Sequence, residues 1–235
     1  MNAVKWAPGI ALRNFVGLLL IFAFGIVVPP LVEAALTQRG VAIAGMNRIV
    51  MIAVLQATWA LFGFLLMALN REPLSAVGLG KPARVARTVM LGLILAAILF
   101  AAVVTLEHLG YGKQRLGDIG EELKGNAPLV AARVVVSLVV VGFVEEFIFR
   151  GFVMSRIAAT LGGTRWAWGL ALIGQAALFG AAHGYQQLYG MVLTGAIGLL
   201  LGSVYLLSGR NLWMPIIGHG VYDAVHATYI SGALG

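Results

Sequence analysis

Two adjacent carboxylates and an arginine interrupt a long apolar run near the middle of the chain. Glu145, Glu146 and Arg150 follow residues 134–144, which are almost wholly apolar. A charge near the centre of a bilayer costs at least ~2.5 kcal/mol, so such residues usually have partners, a polar cavity and a function. On a helix, Glu146 and Arg150 are four residues apart with the acid first, which favours an ion pair. Glu145 lies about 100° further round the helix, so it is the freer acid and the better candidate for chemistry.

Three of the four histidines lie in two later apolar stretches. His219 and Asp223 are four residues apart and His226 is seven from His219, so on a helix all three share one face. His183 lies in an earlier stretch, four residues after Phe179. Acids, an arginine and imidazoles in one pocket of low dielectric are the groups that proton transfer, such as the activation of water, requires. We therefore expect these side chains to converge on one polar pocket within the membrane.

These polar residues also have structural interpretations. Glu146 with Arg150 is explained as well by a structural ion pair as by direct catalysis. His183 alone would be an interhelical hydrogen-bonding residue. His226 lies near the end of its stretch, which favours an interfacial position, and His108 begins a loop, where it would be solvated. The clustering of titratable groups favours function for His183 and His219.

The apolar stretches that carry these residues are long enough to be transmembrane helices. Of the 235 residues, 60% are hydrophobic and only 11% are charged, whereas soluble domains have about 25% charged residues. A spanning helix needs about 20 apolar residues. We predict an all-α, polytopic membrane bundle of about seven transmembrane helices that forms a single integral membrane domain, residues 1–235. The predicted spans are residues 15–36, 48–69, 88–106, 128–152, 167–186, 188–207 and 212–231.

The positive charge of the chain is interpreted through membrane topology. The net charge is +7, but basic stripes with interleaved aromatic residues are absent, so the expected partners are lipid and a membrane-associated peptide or protein, not nucleic acid. Lys and Arg in short loops set orientation, which predicts a cytoplasmic N-terminus. The absence of cysteine excludes disulfides and thiolate catalysis. The basic residues used for the orientation are Lys5, Arg13, Arg71, Lys81, Arg84, Arg87, Arg156, Arg165 and Arg210, against Lys113, Arg115 and Lys124 in the loop assigned to the outside.

The three polar motifs together resemble the CPBP family of intramembrane proteases, which includes the type II CAAX prenyl endopeptidases and bacterial self-immunity proteins. The pattern of that family is EExxxR, then FxxxH, then HxxxN or HxxxD. The resemblance covers about residues 128–230, so residues 128–231 would form a CPBP-like catalytic core, and residues 1–127 would supply spans one to three. The matching residues are Glu145-Glu146-x-x-x-Arg150, Phe179-x-x-x-His183 and His219-x-x-x-Asp223.

The resemblance implies hydrolysis of a peptide bond within the membrane. A carboxylate and an imidazole can activate a water, and a donor aimed at the developing oxyanion is typically worth ~3 kcal/mol. Two further classes would use the same residues: a proton-coupled transporter and a non-catalytic immunity or scaffold protein. The implied roles are general base for Glu145, assistance for His183, oxyanion stabilisation for His219 and Asp223, and ordering of the site for Glu146, Arg150 and Phe179.

Asp223 departs from the prenyl-protein endopeptidases, which the resemblance gives an Asn at this position. An ionised carboxylate cannot donate a hydrogen bond to an oxyanion, so Asp223 must be protonated, must orient His219 or must bind something else. This departure favours a bacterial-type member in the plasma membrane with another peptide substrate.

The need for a metal stays open at the level of the sequence. Glu145, His183, His219 and Asp223 could ligate zinc, since a catalytic zinc usually takes three protein ligands and a water. The family has been described both as metalloproteases and as metal-free glutamate proteases. The first motif lacks the paired histidines of helical zinc proteases, which favours the metal-free mechanism.

Overall fold

The protein folds as a bundle of helices. The structure, a computed structural model, describes residues 8–110 and 117–233, and this part of the chain contains eight helices and no strand. The predicted all-α class is therefore confirmed, whereas Lys5, Lys113 and Arg115 of the orientation argument lie outside the described residues. The helices are α1 Pro8–Gln38, α2 Gly45–Leu69, α3 Val85–His108, α4 Gly117–Leu123, α5 Ala127–Thr160, α6 Arg165–Ala182, α7 Gln187–Leu207 and α8 Trp213–Ile230.

Five of these helices are long and apolar enough to cross a membrane: α1, α2, α3, α5 and α7. Helices α6 and α8 are 18 residues each, about 27 Å at 1.5 Å per residue. They are less apolar because they carry Gln175 in α6 and His219, Asp223 and His226 in α8. The predicted membrane bundle is confirmed, and seven as the number of spans stays a prediction.

Helix α5 departs from regular α geometry on both sides of Glu145. Two segments, Ser137–Val141 and Glu146–Met154, have the wider π-helical hydrogen bonding. All nine residues of the second segment are buried. Such π turns occur mostly within α-helices and frequently at functional sites. The regular 100° step assumed from the sequence therefore does not hold across this part of α5.

Two glycines let the helices that carry the polar motifs approach closely. A Cβ atom on Gly142 of α5 would lie 2.6 Å from the Cα atom of Gly220 in α8, and one on Gly180 of α6 would lie 2.5 Å from a backbone oxygen of α7. Small residues have this role at helix contacts in membranes. The α5–α8 crossing lies three residues before Glu145 and one after His219, so it brings these two side chains together.

Aromatic side chains of α2 pack against those of α5, the helix that carries Glu145. Phe147 is fully buried and stacks on Phe64 with ring centroids 4.3 Å apart. Helices α3, α7 and α8 bury a second cluster that includes Leu99, Leu201 and Tyr222. On the outer surface of the bundle many large apolar side chains are exposed, as expected of a surface that faces lipid.

Candidate active site

The polar motifs line one cavity inside the bundle. Its volume is about 100 Å³, and its wall includes Glu145, His183, His219 and Asp223. A water needs about 10–15 Å³ of such space and polar partners, so the cavity has room for several waters. The structure therefore brings together, at one cavity, side chains from α5, α8 and the end of α6.

The centre of the site is a buried network around Glu146. Its Oε1 atom accepts hydrogen bonds from Arg150 Nη1 and from His219 Nδ1, both at 2.8 Å. Neither Glu146 nor Arg150 has any exposed surface. The guanidinium of Arg150 also donates to the Gly198 carbonyl at 3.4 Å and lies over the Phe179 ring at 4.3 Å. The Glu146–Arg150 ion pair expected from the spacing is present, and it fixes the ring of His219.

The second nitrogen of His219 faces two further carboxylates. Its Nε2 atom lies 3.9 Å from Glu145 Oε2 and 3.7 Å from Asp223 Oδ2. These separations exceed hydrogen-bond length, and at such distances a water commonly lies between the groups. Nδ1 is used by Glu146, so Nε2 is the nitrogen of His219 that is available to a molecule in the cavity.

Glu145 is held by a residue that the sequence analysis did not predict. Its side chain is 11% exposed, and its Oε1 atom accepts a hydrogen bond of 2.9 Å from Gln56 Nε2 in α2. This leaves Oε2 as the oxygen on the side of His219. A signal for Gln56 was available, since it is an amide within an otherwise apolar span, but its partner was not predictable from the spacing.

His183 joins the cavity from the end of a helix. Helix α6 stops at Ala182, and His183 is its half-buried C-cap residue. Its Nδ1 atom lies 2.8 Å from the Phe179 carbonyl oxygen. A carbonyl can only accept, so Nδ1 carries the proton, and in the neutral ring Nε2 is an acceptor. Phe179 also packs edge-to-face on this ring at 4.7 Å, so Phe179 contacts both Arg150 and His183.

A second histidine–carboxylate pair lies beside the same cavity, whose wall includes His226. His226 Nε2 is 3.1 Å from Oε1 of Glu107 in α3, and the His226 ring stacks on Tyr222 with centroids 5.7 Å apart. His226 is buried among protein side chains, and the interfacial position predicted for it stays a prediction. Glu107 directly follows the third predicted span, residues 88–106, and an acid at such a position could have been recognised from the sequence. His108 is exposed, as expected.

The side chains that could ligate zinc are those of Glu145, His183, His219 and Asp223. Among residues 8–110 and 117–233, no group of three or more His, Cys, Asp or Glu side chains is arranged to hold a metal ion. His219 Nδ1 is bonded to Glu146, so Nε2 is the one atom of this ring that could act as a ligand. The described residues, as placed, therefore do not form a three-ligand metal centre.

Comparison with known proteins agrees with the three motifs. Residues 127–225 match the family model described as Type II CAAX prenyl endopeptidase Rce1-like. No curated protein and no solved structure matches the chain. The matched segment contains α5, α6, α7 and most of α8, hence every motif residue, whereas Gln56, Glu107 and His226 lie outside it. Bacterial origin and a cytoplasmic N-terminus stay predictions. The resemblance predicted from the motifs is confirmed over this segment: residues 127–225 of this integral membrane protein match the Rce1-like, type II CAAX prenyl endopeptidase family of proteases.

Proposed function

We propose that this protein is an intramembrane endopeptidase in which Glu145 activates a water held in the cavity. The observation that carries the proposal is a buried carboxylate that shares a polar cavity with His183 and His219. The match of residues 127–225 to a protease family supports it independently. The substrate is a peptide or protein segment that reaches the cavity from the membrane.

The first step is removal of a proton from the water. Glu145 Oε2 takes the proton while the water oxygen attacks the carbonyl carbon of the substrate, and the electron pair of the C=O bond moves to its oxygen. His183 Nε2, the acceptor nitrogen of its ring, orients the same water through the other hydrogen. Positioned general bases of this kind contribute about 10²- to 10⁴-fold to the rate.

The oxyanion formed in this step needs a hydrogen-bond donor. His219 Nε2 provides one when both ring nitrogens carry protons, and the carboxylates of Glu145, Glu146 and Asp223 around the ring favour this charged form. A donor placed at an oxyanion is worth about 2.7–4 kcal/mol. Asp223 stabilises the imidazolium by charge, a role that differs from the three left open by the sequence.

The second step breaks the peptide bond. The tetrahedral intermediate collapses, the C–N bond breaks, and Glu145 returns its proton to the leaving nitrogen. The products are a carboxylic acid and an amine, and Glu145 is again ionised. Glu146 and Arg150 hold the His219 ring throughout and exchange no proton with the substrate.

Peptide cleavage by the purified protein in liposomes tests the proposal. The substrates are fluorogenic peptides tethered to the membrane by an acyl or a farnesyl chain, which also compares prenylated with other substrates. We expect Glu145→Gln to lower cleavage by at least about 10³-fold. Glu33→Gln, which changes an exposed carboxylate of α1, is the control and should leave cleavage unchanged.

Three other outcomes would contradict the proposal. Full cleavage by Glu145→Gln would remove Glu145 from the reaction. Proton flux across the same liposomes without cleavage would support a transporter. A cellular phenotype that survives Glu145→Gln would support a binding scaffold. Metal analysis of the active preparation, beside the Glu145→Gln variant, decides whether a metal takes part.

A further inference from the structure

The N-terminal helices contribute a polar group to the site. Gln56 of α2 donates its Nε2–H to Oε1 of Glu145 at 2.9 Å, across 89 positions of sequence. The bond joins a residue outside the matched segment, 127–225, to the carboxylate that the proposed mechanism uses. A hydrogen bond to an ionised carboxylate is charge-assisted and roughly twice as strong as one between neutral groups. Gln56 is therefore placed to fix the direction of this carboxylate.

The packing of α2 fixes where the Gln56 amide lies. Gln56, Ala60, Gly63 and Met67 follow at intervals of four, three and four residues, so they share one helix face. Ala60, Gly63 and Met67 are buried, and a Cβ atom on Gly63 would lie 2.9 Å from the ring of Phe147 in α5. The face that carries Gln56 is thus held tightly against the helix that carries Glu145.

The Gln56 amide also has an unused acceptor. Its Oε1 atom is buried and has no hydrogen-bond partner among the described residues. A buried polar atom without a partner costs free energy, so such atoms usually bind a water or a ligand. This oxygen belongs to the amide that holds Glu145, so a water or a substrate N–H bound there would lie beside the reacting carboxylate.

We infer that Gln56 is a positioning residue of the site, whose amide holds Glu145 so that Oε2 stays directed toward His219 and the cavity. The inference rests on the proposed function and extends the site to α2. Oε1 is occupied by Gln56, and Oε2 lies 3.9 Å from His219 Nε2. Without the amide, the carboxylate can rotate, and the fraction of molecules with the reactive oxygen in place falls. The binding of substrate is not affected by this rotation.

The test is the cleavage assay above with Gln56→Met, which keeps the length of the side chain but removes the amide. We expect kcat to fall about 10- to 100-fold, as for loss of a hydrogen bond to a charged group, with KM changed less than about twofold. Thr58→Val is the control, because Thr58 lies in the same helix, is exposed and donates its hydroxyl to the Val54 carbonyl of its own helix. It should leave kcat and KM unchanged.

A second variant keeps the test decisive if Gln56→Met does not insert. Gln56→Asn retains the amide but moves it about one bond length from Glu145, and we expect kcat to fall about fivefold, as for a weakened hydrogen bond, which is less than in Gln56→Met. A kcat within twofold of wild type in either inserted variant, while Glu145→Gln is inactive, would overturn the inference and leave the proposed function standing. Full activity of Glu145→Gln would instead overturn the proposed function.

Discussion

Helix α8 carries two histidines that both pair with carboxylates from other helices, yet their environments differ. His219 bonds Glu146 through Nδ1 and keeps Nε2 toward the cavity, with the nearest carboxylate oxygens at 3.7 and 3.9 Å. His226 uses Nε2 itself for Glu107, at 3.1 Å. The same two residue types therefore form an open arrangement at His219 and a closed one at His226.

A histidine beside an acid is available for chemistry only if the ring nitrogen that faces the cavity is not already bonded. The two histidines differ in this respect. At His219 the partner carboxylate is neutralised by Arg150, so the network orients the ring without consuming the nitrogen that faces the cavity. At His226 the pair links α8 to α3, two helices that are far apart in sequence. Glu107 occupies Nε2 of this ring. We therefore assign chemistry to His219 and stabilisation of the bundle to His226.

Among the changes that separate the two histidines of α8, the largest expected effect is that of His219→Ala on activity. Because this change removes the donor for the oxyanion, we expect kcat to fall by about 10²- to 10³-fold, measured by cleavage of the membrane-tethered peptides. His108→Ala, at an exposed histidine whose Nδ1 atom bonds to the Val104 carbonyl, is the control and should be fully active. A His219→Ala variant with normal kcat would show that the open nitrogen has no role in the reaction.

The change His226→Phe should act on stability more than on activity. Phenylalanine keeps the ring that packs on Tyr222 but leaves Glu107 without its partner, which should lower the free energy of unfolding by about 1–3 kcal/mol. Thermal unfolding in detergent measures this effect, and kcat should stay within a few-fold of wild type.

A double-mutant cycle sharpens the assignment for His226. Adding Glu107→Leu to His226→Phe removes the unpaired carboxylate, so the two changes together should cost less than their sum, as expected of residues in contact. If His226→Phe instead lowered kcat as much as His219→Ala does, with unchanged unfolding, the distinction between the two histidines would be wrong.

The residues around His219 were easier to predict from the sequence than the pair of His226 with Glu107. Hydrophobicity predicted the helices, and the cost of charge in lipid singled out Glu145, Glu146 and Arg150, because both signals are local. Gln56 and Glu107 were missed because their bonds cross 89 and 119 positions of sequence, and no spacing rule predicts which distant helices meet.

The π segments of α5 were also not predicted. Residues 137–141 are mostly apolar, residues 146–154 are apolar apart from Glu146 and Arg150, and this pattern does not indicate wider turns. The two segments flank Glu145, so the direction of its carboxylate depends on π-helical geometry that the sequence did not predict. The convergence of the motifs was predictable from their residue types, whereas the orientation of each side chain was not.

The smallest expected effect is that of Asp223→Asn, at the residue between the two histidines on α8. The Oδ2 atom of Asp223 lies 3.7 Å from His219 Nε2 and its side chain is 21% exposed, so the change removes a charge interaction and no direct hydrogen bond. Such partly exposed pairs are worth about 0–1 kcal/mol, and the new amide can donate a hydrogen bond to the oxyanion. We expect kcat within about fivefold of wild type, measured beside Asp223→Leu, which lacks both the charge and the donor and should be less active. A loss of 100-fold or more in Asp223→Asn would show that the carboxylate itself takes part in the reaction, since neither the charge interaction nor the missing donor could then account for the effect.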